Sequence, residues 1–189
     1  PAKTLWFLAV IVAALATAGE FQHRTIRTTL MHAPHRGRVL TAKAMVTGAY
    51  GALITLAGTA SAVAVGAMSL RAEGLPVGSF GADMWAVAAG SVALGALWAI
   101  LAAGLGTLAR NSTVAVASVL LWWLVLEGLL PVVTGNPDTR RWLPGGAADA
   151  LLLGRADLLE PWAGGLLFAG YATVVTLVGA VMFARRDPA

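Results

Sequence analysis

The sequence predicts an all-α protein, a polytopic bundle of transmembrane helices, and three observations predict it. Of 189 residues, 58% are hydrophobic and only 12% are charged, with a mean hydropathy of +0.78, which is more apolar surface than a soluble domain can hide in one core. Five apolar stretches, residues 4–19, 44–70, 84–109, 113–134 and 162–184, approach or exceed the ~20 residues a helix needs to cross the hydrocarbon of a bilayer. Glycine is abundant, with 22 residues, as expected where helix backbones approach closely in lipid. There is no cysteine, so neither disulfides nor thiolate metal sites enter.

The first stretch is short and begins at once after Pro1-Ala-Lys3, so we expect its beginning, or a preceding sixth span, to lie upstream. A signal peptide with Lys3 as its basic region is the competing reading. It is rejected because a strongly basic loop follows, which is a stop-transfer pattern. That loop, residues 20–43, holds Arg24, Arg27, Arg36, Arg38 and Lys43 with three histidines and one acid, Glu20. Lys and Arg beside membrane ends resist translocation, so the loop is expected in the cytoplasm. Alternation then places residues 71–83 outside, 110–112 inside, 135–161 outside, and Arg185 and Arg186 inside. The net charge of +4 is therefore topological and implies no nucleic acid. The expected location is the inner, cytoplasmic membrane, with a cytoplasmic C-terminus.

Between the fourth and fifth stretches, Gly135-Asn-Pro-Asp138 breaks a helix and Trp142-Leu-Pro-Gly-Gly146 leads into the apolar run 147–153. That run is too short to span, so residues 142–155 are expected to be re-entrant or interfacial, anchored by Trp142 and Trp162 at headgroup level. With no internal repeat or low-complexity segment, residues 1–189 read as one membrane domain.

Glu127 is the sole acid inside a predicted span. An intramembrane carboxylate is costly, and facing a cavity or a partner helix makes it a functional candidate. The competing reading is structural: it lies about one to two turns from the outer end of its helix and can reach water or a donor in the outer loop. The histidines His23, His32 and His35 match no zinc spacing, and no metal site is expected. Hydroxyl side chains such as Thr47, Tyr50, Thr55, Ser91, Ser118, Tyr171 and Thr173 either line a pathway or, more commonly, bond across helices and to their own backbone. Gly95, Gly104 and Gly106, and Gly164, Gly165 and Gly170, favour close helix crossings. No nucleotide-binding loop, nucleophile–base set or zinc-protease motif occurs, so no catalytic residue is expected on this chain.

Glu20-Phe-Gln-His-Arg-Thr-Ile-Arg-Thr-Thr-Leu-Met31 can form a short helix in which Phe21, Ile26, Leu30 and Met31 sit among cations, stopped ahead of Pro34. One reading is a solvated loop that meets anionic lipid headgroups; the other is a docking helix for a cytoplasmic partner.

The stretch from Gly19 to Lys43, with its acid, aromatic, basic pair, Thr-Ile, Leu, Pro-x-Arg and a Lys entering the next helix, resembles the first cytoplasmic loop of actinobacterial ABC type-2 permeases. The similarity continues through Gly104-Leu-Gly-Thr-Leu-Ala-Arg-Asn-Ser-Thr-Val-Ala115 and through Trp142-Leu-Pro144, and so covers nearly the whole chain. It implies an exporter permease fold with six spans, a cytoplasmic coupling helix and short re-entrant helices before the last span. Residues at the ATPase contact would be Glu20, Phe21, His23, Arg24, Arg27, Thr28, Leu30 and Met31, with ATP and Mg held by that partner and none by this chain. A second permease copy or a homologous permease would complete the transporter. Few polar positions in the spans favour a hydrophobic or amphipathic cargo, drug-like or lipid-like. Two other classes compete: a non-transporting membrane scaffold or sensor subunit, and a proton-coupled carrier that uses Glu127.

Overall fold

The computed structural model describes residues 36–75, 81–109, 111–154 and 157–185. The first expected span, residues 4–19, and residues 20–31 of the basic loop lie outside them. Among the described residues the chain is helical with no strand, in the order α1 (Arg36–Ala72), α2 (Ala82–Ala109), α3 (Ser112–Leu121), a π-helical turn (Trp122–Leu126), α4 (Glu127–Thr134), α5 (Thr139–Trp142), α6 (Pro144–Leu153) and α7 (Pro161–Arg185). Three helices are long and apolar enough to cross a membrane, over Thr41–Ala72, Ala82–Ala109 and Pro161–Met182. These coincide with three of the expected spans. Residues 113–134, expected as a further span, are helical but divided into the consecutive segments α3, π turn and α4.

The basic loop was expected to run to Lys43, but α1 is already helical at Arg36. Apolar sequence marks where lipid begins, not where a helix begins, and Arg, Leu, Ala and Lys are all good helix formers. At 37 residues α1 is ~55 Å long, against a hydrocarbon core of ~30 Å, so it carries the chain well beyond the lipid.

Helix α2 is the hub, in contact with α1, α3, α6 and α7. Its buried face runs from Ser91 through Leu94, Trp98 and Ala102 to Thr107. Trp98 packs edge-on against Phe168 of α7, with ring centroids 4.8 Å apart. An offset pair of this kind contributes ~1 kcal/mol beyond the area it buries. Leu94 and Phe168 are fully buried, and Ala99, Ala115, Val119, Ala147 and Ala172 fill the remaining space. Most of α1 instead shows apolar side chains outward, among them Met45, Val46, Leu53, Val65 and Met68, which suits a hydrocarbon solvent.

Where α1 crosses α2 the contact is backbone to backbone. A Cβ on Gly95 would collide with the side chain of Thr55, and one on Gly51 with the carbonyl of Gly95 and the Cβ of Ala99. Thr55 is buried, and its hydroxyl donates to the Gly51 carbonyl at 2.8 Å, so no polar atom is left to lipid. Gly104 and Gly164 occupy comparable crossings of α7 with α2 and α6, whereas a Cβ on Gly170 would meet nothing among the described residues.

The turn between α2 and α3 is short because Asn111 caps it, its side-chain oxygen accepting from the amides of Thr113 at 2.9 Å and Val114 at 3.3 Å. Gly135, left-handed at φ 63°, ends α4. Leu143 is extended because Pro144 follows it, and Pro144 opens α6 as its first residue.

Gly95→Leu is expected to force α1 off α2 and to destabilise the protein by about 1–3 kcal/mol or more. Gly66→Ala, where a Cβ meets open space, should stay within about 0.5 kcal/mol. Unfolding of the two variants and the parent in mixed micelles, titrated with a denaturing detergent, measures the difference.

Candidate functional site

Polar chemistry concentrates at one end of the bundle, where α5 and α6 fold in beside α4 and α7. Leu143 and every residue of α6 as far as Ala150 are buried. A short helix buried on all sides carries orphan amides at its N-terminus, and these require partners inside the protein. Pro144 has no N–H to satisfy, and Leu143, at the cap position, offers no side-chain acceptor.

The missing cap arrives from another helix. The Glu127 carboxylate, at the start of α4, accepts a short hydrogen bond from the Gly145 amide, the second residue of α6. A negative group at that position also complements the positive end of the helix dipole. Trp122 stands five residues earlier on the same helical run. The five-residue separation matches the π turn between them, in which the Glu127 amide bonds to the Trp122 carbonyl. Beyond Glu127, Pro131 stands where an amide would otherwise reach back to the Glu127 carbonyl. Two irregularities of the helix therefore meet at this one residue.

The glycine pair after Pro144 follows from the same geometry. A Cβ on Gly145 would overlap the Glu127 carboxylate, and one on Gly146 would overlap the Arg140 carbonyl. Both faces of the α6 N-terminus are thus in backbone contact with neighbours.

A second polar link joins α5 to α6. Asp149 is 8% exposed, and its Oδ2 accepts from Arg140 Nη2 at 3.1 Å. Arg140 is half exposed, so the pair has one buried and one wet partner. Arg141 pairs with Asp138 at 3.5 Å and stands 5.8 Å from the centre of the Trp142 ring. The Tyr171 hydroxyl of α7 donates to the Trp142 carbonyl at 2.7 Å, fixing the end of α5. Trp85, Trp142 and Trp162 are exposed; Trp142 lies in a segment that the charge pattern assigns to the outer face, and Trp85 and Trp162 stand at the borders of such segments.

Of the residues singled out from sequence, Glu127 meets a donor at the N-terminus of α6, in the stretch between the fourth and fifth apolar segments. The contact residues Glu20, Phe21, His23, Arg24, Arg27, Thr28, Leu30 and Met31 lie outside the described residues. The hydroxyls mostly return to their own helices: Thr47 to Lys43, Ser91 to Val87, Ser118 to Val114 and Thr173 to Ala169. Tyr171 is the exception, bonding across to another element. Arg140, Gly145, Gly146 and Asp149 escaped the sequence reading. The available signal was an aspartate inside a run read as apolar, nine residues after an arginine. Among the described residues no three His, Cys, Asp or Glu side chains gather as a metal would require.

No family model, no curated protein and no solved structure matches the chain.

The Arg140–Asp149 pair has an asymmetric prediction. Arg140→Ala strips the buried carboxylate of its guanidinium and should cost about 1–3 kcal/mol. Asp149→Ala frees an arginine that already touches water and should cost less. Detergent unfolding of the two variants, with hydrogen exchange at the α6 amides, checks the order.

Proposed function

We propose that the chain is the membrane-spanning permease subunit of an ABC exporter, moving a hydrophobic or amphipathic cargo with ATP hydrolysed by a separate ATPase subunit. The observation that carries this reading is the basic loop, whose sequence from Glu20 to Lys43 combines amphipathic and cationic residues between two apolar stretches. In this reading Ser112–Thr134 is a further span, the cytoplasm faces the loop and the C-terminus, and α5 and α6 form the re-entrant pair that precedes the last span.

The fold supports the reading in two respects. Force from a cytoplasmic motor passes only through ordered, packed elements. Helix α1 is one unbroken rod from Arg36, inside the basic loop, to Ala72 at the opposite end, and it is clamped to the hub helix through Gly51, Thr55 and Gly95. Motion imparted at Arg36 would therefore reach α2 through one continuous helix. Two short helices, one of them buried as far as Ala150, also precede α7 at the far end, where an exporter needs a closure between its path and the outside.

Closure of two ATPase subunits around ATP and Mg would push on the loop, with Glu20 and Arg24 among the polar contacts, and the seam between two permeases would open to pass the cargo. A scaffold subunit would bind a partner through the same loop without flux, and a proton-coupled carrier would run on a pH gradient without ATP.

Mild extraction of the intact membrane complex is expected to bring down a separate ATPase. Substituting both Glu20→Ala and Arg24→Ala should weaken that association by roughly tenfold or more, as removal of two charged contacts implies, with a parallel fall in ATPase activity. Recovery of the intact chain with no ATPase would overturn the reading.

A further inference from the structure

We propose that one end of the bundle is a collar for anionic phospholipid headgroups, built from Arg36 and Arg38 on α1, Arg185 on α7 and Arg110, the residue that follows α2. The collar rests on the membrane reading of the long helices and is independent of any ATPase.

Helix packing sets the levels. Gly51 of α1 lies against Gly95 and Ala99 of α2, while Gly48, nearer the start of α1, lies against Ile100, so these two helices run antiparallel. Gly104 of α2 lies against Val175 and Thr176 of α7, and Thr107 against Gly179, so these two run parallel. Ala109 is the last residue of α2. Followed from those contacts at ~1.5 Å per residue, it stands level with roughly Leu40 of α1 and Val181 of α7.

Length and composition give the same plane independently. On this side the apolar windows of the three helices stop at Thr41, Ala109 and Met182, beside the levels that packing assigns. Each window is bounded by its own sequence alone. A boundary shared across three helices is what the edge of the hydrocarbon imposes.

The arginines stand just past that edge. Arg36 and Arg38 are within about one turn of Leu40, Arg185 is about one turn beyond Val181, and Arg110 comes next after Ala109. The headgroup region adds ~5–7 Å to each side of the hydrocarbon and a helical turn rises ~5.4 Å, so these positions fall among the phosphates. Among the described residues no acid lies on this side; in the sequence Asp187 comes next. The opposite end carries Asp83, Asp138, Asp149 and Glu160 beside its own arginines. The positive-inside bias decides on which side cations are left during insertion, but it does not bring the cations of separate helices to one depth. A guanidinium stays charged and pairs bidentately with phosphate. In phosphatidylcholine a choline cation offsets that phosphate, whereas phosphatidylglycerol leaves it uncompensated, so the anionic lipid is the occupant. A cytoplasmic protein would meet the chain farther out, ahead of Arg36.

The full chain in phosphatidylcholine vesicles is probed with trace spin-labelled phosphatidylglycerol or phosphatidylcholine, and the motionally restricted fraction of each gives their relative association constant. The preference for phosphatidylglycerol is expected to be about two- to fivefold at low salt and to fall toward one as NaCl is raised to about 1 M. Combining Arg36→Gln, Arg38→Gln and Arg185→Gln should abolish it at low salt, whereas Arg71→Gln with Arg141→Gln, at the other end, should leave it in place. An unchanged restricted fraction of phosphatidylcholine shows that each variant keeps its bundle, and the salt series tests the parent without any substitution. No preference in the parent, which would leave the cations to an acidic protein partner, overturns the collar. So does a preference that survives high salt or the triple substitution, or one that is lost with the pair at the other end.

Discussion

A hydrocarbon solvent offers no hydrogen bonds, so each polar group carried into the bundle must be met inside the protein. The arrangement of this chain follows from that demand. Hydroxyls along the long helices turn back on their own carbonyls, as Thr55 does on Gly51. The costliest polar feature is the free N-terminus of α6, a helix too short to reach water at both ends. It is met by the only acid in the neighbouring helical run, and the π turn, the proline and the two glycines around it are the local adjustments that bring acid and amide together.

Packing solves a different problem. Lipid is as apolar as Leu, so burying large side chains against each other gains little over leaving them in the bilayer, and close backbone approach supplies the attraction instead. That is why the crossings hold Gly51, Gly95, Gly104 and Gly164 while Leu53, Val65 and Met68 point away. The large aromatic contact of Trp98 with Phe168 sits on the hub helix where several elements converge. A bundle built this way is rigid at its crossings and has a featureless exterior, which suits the transmission of movement along α1.

Much of this was legible in the sequence, because length and hydropathy alone decide which stretches form long helices in lipid. The start of α1 was not, since residues 36–43 are charged yet helical and no apolar period marks them. Glu127 was visible as a lone acid in an apolar stretch. Its partner was hidden, because the amide of Gly145 is a backbone group 18 positions away that no side-chain pattern announces. Asp149 escaped notice for a related reason: a single acid in a short apolar run looks like the edge of a loop until Arg140 is found beside it. Glycines were correctly suspected as crossing points, but spacing could not separate Gly164, which faces α6, from Gly170, which faces open space.

The π turn sets more than the position of one carboxylate. Its five residues, Trp122–Leu126, are all bulky and apolar and include neither glycine nor proline, so nothing in their own chemistry demands the wider winding. Were they wound as ordinary α-helix, every residue beyond them would turn by about 100° around the axis. Leu129, Val132 and Val133, now exposed, would then be carried inward, and other side chains would meet the lipid. Which surface the protein shows to its membrane over this half-helix is therefore decided by a hydrogen bond made to a different helix, and the bilayer-facing composition of residues 127–134 is inherited from that contact.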